Sequence, residues 1–134
     1  MLTNHLRMTE GRRMNIETAL KEAMSVNGAL GAALVDYESG MCLGTAGGGR
    51  DLDLEIAAAG NAEVVRHEMR MMATLDMDDA IEDILVTLNR QYHLIRVLTR
   101  DGAYMFLYLA LDRERANLAL ARHALRRIER ELAL

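Results

Sequence analysis

A three-layer α+β sandwich is the fold class the sequence predicts, and three observations predict it. The 134-residue chain reads in order as helix, two strands, helix, three strands, helix, with turn signals between neighbouring strands that make a five-stranded sheet antiparallel. The last strand, AYMFLYLAL over 103–111, is apolar on both alternating faces, so it must be covered on both sides and lie in the middle of its sheet. The stretch over 52–75, LDLEIAAAGNAEVVRHEMRMMATL, is a long helix with two apolar stripes where a helix resting on its own domain needs one. Covering the last strand on both sides puts the first and last helices on one face and the long helix on the other.

Each element has a local cause. Residues 1–14 are polar and basic, without a sustained period, and read as a flexible N-terminal tail in which Met8 and Met14 are alternative starts. The remainder, 15–134, is one domain. Asn15 caps a first helix running to about Val26, with Ile16, Ala19, Leu20, Ala23 and Met24 on one face. Asn27-Gly28 stops it by supplying the left-handed residue that helix C-termini favour. Ala29 to Tyr37 is a strand with Leu30, Ala32, Leu34 and Asp36 opposing Gly31, Ala33 and Val35; Glu38-Ser39-Gly40 turns it back into Met41 to Thr45. Gly47-Gly48-Gly49 lacks the Lys and Ser/Thr of a phosphate cradle and reads as a flexible entry to the long helix, with Asp51 or Asp53 as its N-cap.

Beyond the helix, Asp76 to Asp83 is acidic but lacks the calcium-loop pattern, and reads as a solvated turn. Ile84 to Leu88 is a strand, Asn89-Arg90 a tight turn, Tyr92 to Thr99 the next strand, and Asp101-Gly102 a strong hairpin signal. The last helix, from about Arg113 to Leu132, buries Leu118, Ala121, Leu125, Ile128 and Leu132. Its Arg122, Arg126, Arg127, Arg130, Glu129 and Glu131 face water.

Composition narrows the function. A net charge of -4 gives no reason to propose nucleic acid as a partner. The lone Cys42 excludes an internal disulfide, sits among apolar residues as a small core side chain, and fits a reducing compartment. No apolar run is long enough for a membrane span and the N-terminus lacks a signal-peptide core, so the expectation is a cytoplasmic protein. No nucleophile–base pair, metal-ligand set or cofactor loop is visible; His67 on the helix flank and His93 on a sheet face stand apart from partners. The chain is therefore read as a non-enzyme that needs no cofactor and no metal.

The stripes of the long helix ask for two neighbours. Leu54, Ala58, Val65, Met69 and Met72 form the first; Ile56, Gly60, Val64, Met71 and Leu75 form the second. One faces the sheet and the other a partner, in either assignment. Ile84, Val86 and Leu88 with Leu85 would form an apolar edge that an isolated monomer would have to protect.

The element order, together with NGALGAALVDYESG at 27–40, IAAAGNA at the start of the long helix, LIRVLTRDGAYMFLYLALD and ANLALARHALRR, resembles the Roadblock family, the roadblock-type dynein light chain superfamily. Asn27 departs from the family's frequent Pro, though Asn-Gly stops a helix as well. The resemblance covers about Asn15 to Leu132 and implies a sheet order 2-1-5-4-3 and a homodimer in which third strands pair edge to edge and long helices pack together. The interface it implies comprises Ile56, Gly60, Val64, His67, Met71, Ile84, Val86 and Leu88. It also implies a regulator or scaffold that binds a small Ras-like GTPase, or a purely structural adaptor. Arg66 and Arg70 are then candidates for the GTPase contact as well as ordinary solvated charges.

Overall fold

Side-chain caps set the helix boundaries. The computed structural model describes residues 14–98, 102 and 104–133; the expected tail over 1–13, the Thr99 strand end, Asp101 of the hairpin turn and the Ala103 strand start lie outside them. Helix α1 spans Ile16–Met24, and the Asn15 side chain accepts from the Thr18 N–H at 2.8 Å, as expected of the cap. It ends before the expected Val26 because Ser25 closes the last turn, its hydroxyl donating to the Glu22 carbonyl at 2.6 Å. Gly28 then turns the chain at φ +85°, where an added Cβ would meet the Ala116 nitrogen at 3.0 Å and the Asp112 oxygen at 3.1 Å.

Helix α2 spans Leu54–Thr74, and Asp53 is the acid that caps it, accepting from the Glu55 and Ile56 N–H groups at 3.0 and 3.2 Å. Helix α3 spans Leu118–Glu131, starting later than the expected Arg113. The cause is Asp112, whose carbonyl accepts from the Arg115 and Ala116 N–H groups and whose carboxylate accepts from that of Glu114, closing a turn first. Asn117 is the true cap, accepting from the Leu120 N–H at 3.1 Å.

The strands are β1 Ala29–Asp36, β2 Cys42–Gly47, β3 Asp83–Thr87, β4 Gln91–Val97 and β5 Met105–Asp112. They form one sheet of order β2-β1-β5-β4-β3 with every pairing antiparallel, so β5 is central, as its two-sided apolar pattern requires. On one face Leu107, Leu109 and Leu111 pack with Leu20 of α1 and Leu125 and Ile128 of α3. On the other, Phe106, Tyr108 and Ala110 pack with Leu54, Ala58, Ala62 and Val65 of α2. The α2 contact row is mostly small, and Gly31 completes the close approach: a Cβ there would lie 2.9 Å from the Leu52 side chain and 3.0 Å from that of Leu54.

Five sequence expectations change at this level. Leu30 does not share a face with Ala32 and Leu34, because one extra residue in β1 between Ala29 and Gly31 bulges the strand and turns Leu30 to the α2 side. Met14 does not belong to a free tail: it is buried, pairs with Leu132, and exchanges backbone hydrogen bonds with Glu131 and Ala133 at 2.6 and 2.7 Å. Gly48 and Gly49 form a hydrogen-bonded turn rather than a loose entry, through the carbonyls of Leu30 and Leu52. Glu129 does not face water; it is buried and accepts from Arg96 Nε at 2.8 Å. Asp83 leaves the solvated acidic turn and pairs with Arg122 Nε at 3.3 Å, so charges on α3 hold both β3 and β4.

Candidate partner interface

Helix α2 presents its second stripe outward. Leu54, Ala58 and Val65 of the first stripe are buried on the sheet, with Met69 packed beside them. Ile56 is 71% exposed, Leu75 61%, Met71 43% and Val64 39%. The ambiguity between the two stripes therefore resolves in favour of the first facing the sheet. Gly60 lies in the middle of the outward row, and a Cβ added there meets nothing within 4 Å. No neighbour among the described residues requires this glycine, and its bare backbone would let a second helix approach closely.

Strand β3 is one of the sheet's two edges and pairs only with β4 among the described residues. Val86 and Leu88 are exposed at this edge, while Ile84 packs partly against the α2-side core and Leu85 against the opposite one. The edge offers an unbroken register from Asp83 to Thr87, whereas the other edge strand, β2, has a register shift in its pairing with β1. An unbroken apolar edge is a template for adding a strand.

Gly60, Val64, Arg66, His67 and Arg70 line one shallow depression of about 490 Å³ on the outer face of α2, with Glu63 at its side. Five of the sequence candidates thus share one surface, and Ile56 and Met71 extend it along the helix. Ile84, Val86 and Leu88 belong to the sheet edge instead. Arg66 departs from the sequence picture of two equally exposed arginines: it is half-buried, and its guanidinium donates to the Tyr37 carbonyl at the end of β1. Arg70 remains exposed and makes no ion pair among the described residues.

The histidines differ from one another. His67 is exposed on α2, as its position on the helix flank predicts. His93 is not isolated: its Nε2 lies 2.7 Å from Gln91 Oε1 and its Nδ1 3.2 Å from the Tyr108 hydroxyl. A neutral ring donating to Gln91 and accepting from Tyr108 satisfies every group, leaving no lone pair with which to take a substrate's proton. Burial depresses the His93 pKa and pushes that of Tyr108 up to about 12, both consistent with neutral partners. Cys42 is half-buried, donates to the Gly44 carbonyl at 3.4 Å, and burial raises its thiol pKa, away from the thiolate a nucleophile needs. Sequence reasoning missed the His93–Tyr108 pair because the two residues meet only through the β4–β5 register, which joins His93 to Ala110 and Ile95 to Tyr108.

Among the described residues no helix is long and apolar enough to cross a membrane, and no group of three or more His, Cys, Asp and Glu side chains is placed to hold a metal ion.

A five-stranded sheet of this order, with one long helix on one face and two on the other, is the Roadblock/LC7 fold, and solved structures bear this out. A Roadblock/LC7 domain from Streptomyces avermitilis superposes with a TM-score of 0.73 over 87% of this chain and 93% of that one, at 12% identity. More particularly, the chain is similar to MglB from Myxococcus xanthus (TM-score 0.69, 18% identity, 85% of this chain and 78% of that one). It is also similar to the gliding protein MglB from Thermus thermophilus (TM-score 0.65, 21% identity, 86% of this chain and 88% of that one). No family model and no curated protein matches the sequence.

Proposed function

We propose that this protein is a homodimeric, non-enzymatic regulator that binds a small Ras-like GTPase and modulates its nucleotide cycle. The observation that carries the reading is the outward apolar row of α2 together with an open apolar sheet edge at β3. Two surfaces that stay unpaired among the described residues are the surfaces a two-fold mate would cover: Ile56, Gly60, Val64, His67 and Met71 from the helix, Val86 and Leu88 from the edge, with Ile84 packed behind that edge against the core. The Roadblock/LC7 fold, and its likeness to gliding proteins named MglB, supports the GTPase as partner, since the Roadblock resemblance implies regulators of such enzymes.

Catalytic groups would then belong to the GTPase. Arg70, exposed beside the α2 depression, is the arginine available to meet it; Arg66 acts from behind by tying α2 to the β1–β2 hairpin. We nominate neither as an arginine finger, because resemblance implies reshaping of the GTPase's own switch regions.

Two measurements test the proposal. Sedimentation equilibrium should give a dimer, and a monomer at all accessible concentrations would remove the interface. Hydrolysis by the Ras-like GTPase encoded nearest to this protein should change when the protein is added, with tighter binding to the GTP-bound form. Binding with an unchanged hydrolysis rate would instead leave a structural adaptor.

A further inference from the structure

The outer face of α2 is not the molecule's only unpartnered apolar surface. At the other flank of the same helix, a groove of about 440 Å³ runs between the C-terminal half of α2, the 76–82 loop and the end of β4. Tyr37, Met69, Met72, Met77, Val97 and Leu98 line it. Methionine's unbranched, polarisable side chain suits a surface that repacks around varied apolar groups. The groove is separate from the face carrying Val64 and Met71, so nothing in the proposed dimer or GTPase contact accounts for it.

One wall of it is acidic. The loop that forms one wall carries Asp76, Asp78, Asp79 and Glu82, and none of these makes an ion pair among the described residues. Asp83, the next acid, is already paired with Arg122. Helix α2 ends at the same place, and its last turn contains no basic residue to offset the partial negative charge of the exposed carbonyls. An apolar trough with an uncompensated acidic rim is complementary to a chain segment that presents apolar side chains on one face and cations around them.

We infer that this groove docks a basic amphipathic helix from a partner protein, inserting apolar side chains at helical spacing among the methionines while its Lys or Arg residues meet the acidic loop. The inference is independent of the GTPase reading, because the groove lies on a different flank and its test involves neither dimerisation nor nucleotide.

The test is methyl NMR on the full chain labelled at the methionine methyl groups, titrated with a synthetic helical peptide of leucines and lysines and with a twin in which glutamate replaces lysine. The expected result is saturable shifts at Met69, Met72 and Met77, with Met24, Met41 and Met71 unmoved. The glutamate twin should bind roughly tenfold or more weakly, since four exposed charge contacts each contribute a small factor. The combined change Asp76→Asn, Asp78→Asn, Asp79→Asn and Glu82→Gln should weaken the lysine peptide by a similar factor while leaving the free spectrum otherwise intact. Shifts centred on Met71 or Met41, equal binding of the twin, or no saturable shift would each overturn the inference. So would a spectrum in which Leu6→Asp alone moves the three groove methyls, because the groove would then belong to the chain's own first residues.

Discussion

Replacing Glu129 with alanine should destabilise the fold far more than a surface acid on an arginine-rich helix would suggest. Arg96 of β4 donates to Glu129 of α3 at 2.8 Å, and the two side chains are only 13% and 11% exposed. Arg96 Nη1 is already buried without a hydrogen-bond partner among the described residues, so removing the carboxylate leaves Nε without its partner as well. Breaking a buried pair at one end costs about 3–5 kcal/mol, and the small residual exposure here favours the lower end, about 3 kcal/mol. That is a large part of the ~5–15 kcal/mol that holds a typical domain together. The assay is urea unfolding at fixed protein concentration. With a slope of about 1–3 kcal/mol per molar urea, the midpoint should fall by roughly 1–3 M. The double variant Arg96→Met, Glu129→Leu is the control. It removes both charges and fills their volume, so its stability should return to the parent value or above. A Glu129→Ala loss below about 0.5 kcal/mol, the size of an ordinary surface substitution, would refute the reasoning. So would a double variant no better than the single.

Other outcomes follow from the same structure. Val64→Asp or Met71→Asp should weaken the dimer far more than Glu63→Ala in sedimentation equilibrium, while far-UV circular dichroism of each stays native, because both side chains point away from the core. Gly60→Ala should raise the monomer's stability by about 1 kcal/mol through helix propensity, yet weaken dimerisation if the partner helix approaches the bare backbone; a rise in both would refute that packing. Gly28→Ala should cost about 2 kcal/mol or more in urea unfolding, because a left-handed φ of +85° coincides with backbone atoms at 3.0 Å. For His93 the folded-state pKa lies below the unfolded value near 6.5, so the unfolded chain binds the extra proton. Its stability contribution is present above that value and is lost as pH falls through it toward the depressed folded pKa. The urea midpoint of the parent should therefore drop more steeply than that of His93→Asn below about pH 6.5.

What the sequence made legible was whatever is encoded within a few residues. Asn15 and Asp53 cap their helices by bonding N–H groups two or three positions on, and Gly28 is required by its own backbone angle. The central place of β5 follows from a periodicity visible in the strand itself. Most of the departures involve distant partners. Glu129 reads as a solvated charge until Arg96, from another element, is set against it. Arg66 reads as exposed until the β1–β2 hairpin brings the Tyr37 carbonyl within reach. The Leu30 face reverses through a bulge created in the pairing with β5, and α3 starts late because Asp112 organises a turn that competes with the helix. Of the interface candidates, the outward row of α2 was readable as a surplus stripe, but which stripe was surplus depended on where the sheet lay. The methionine groove carried no local signal, being assembled from α2, a loop and two strands.

The two edges of the sheet are unequal, and this has a consequence for how assembly stops. β3 offers an unbroken apolar edge, whereas β2 is interrupted by a register shift, contains Gly44 and Gly47, and has α1 packed close enough that a Cβ on Gly44 would touch Ile16 and Leu20 at 3.0 Å. If two copies join through β3 about a two-fold axis, both good edges are consumed at once and only the two β2 edges remain outermost. Neither invites a further strand, so growth terminates after a single step. A chain with two equivalent open edges would polymerise; in a dimer joined through β3, the interrupted β2 edge would be the stop signal.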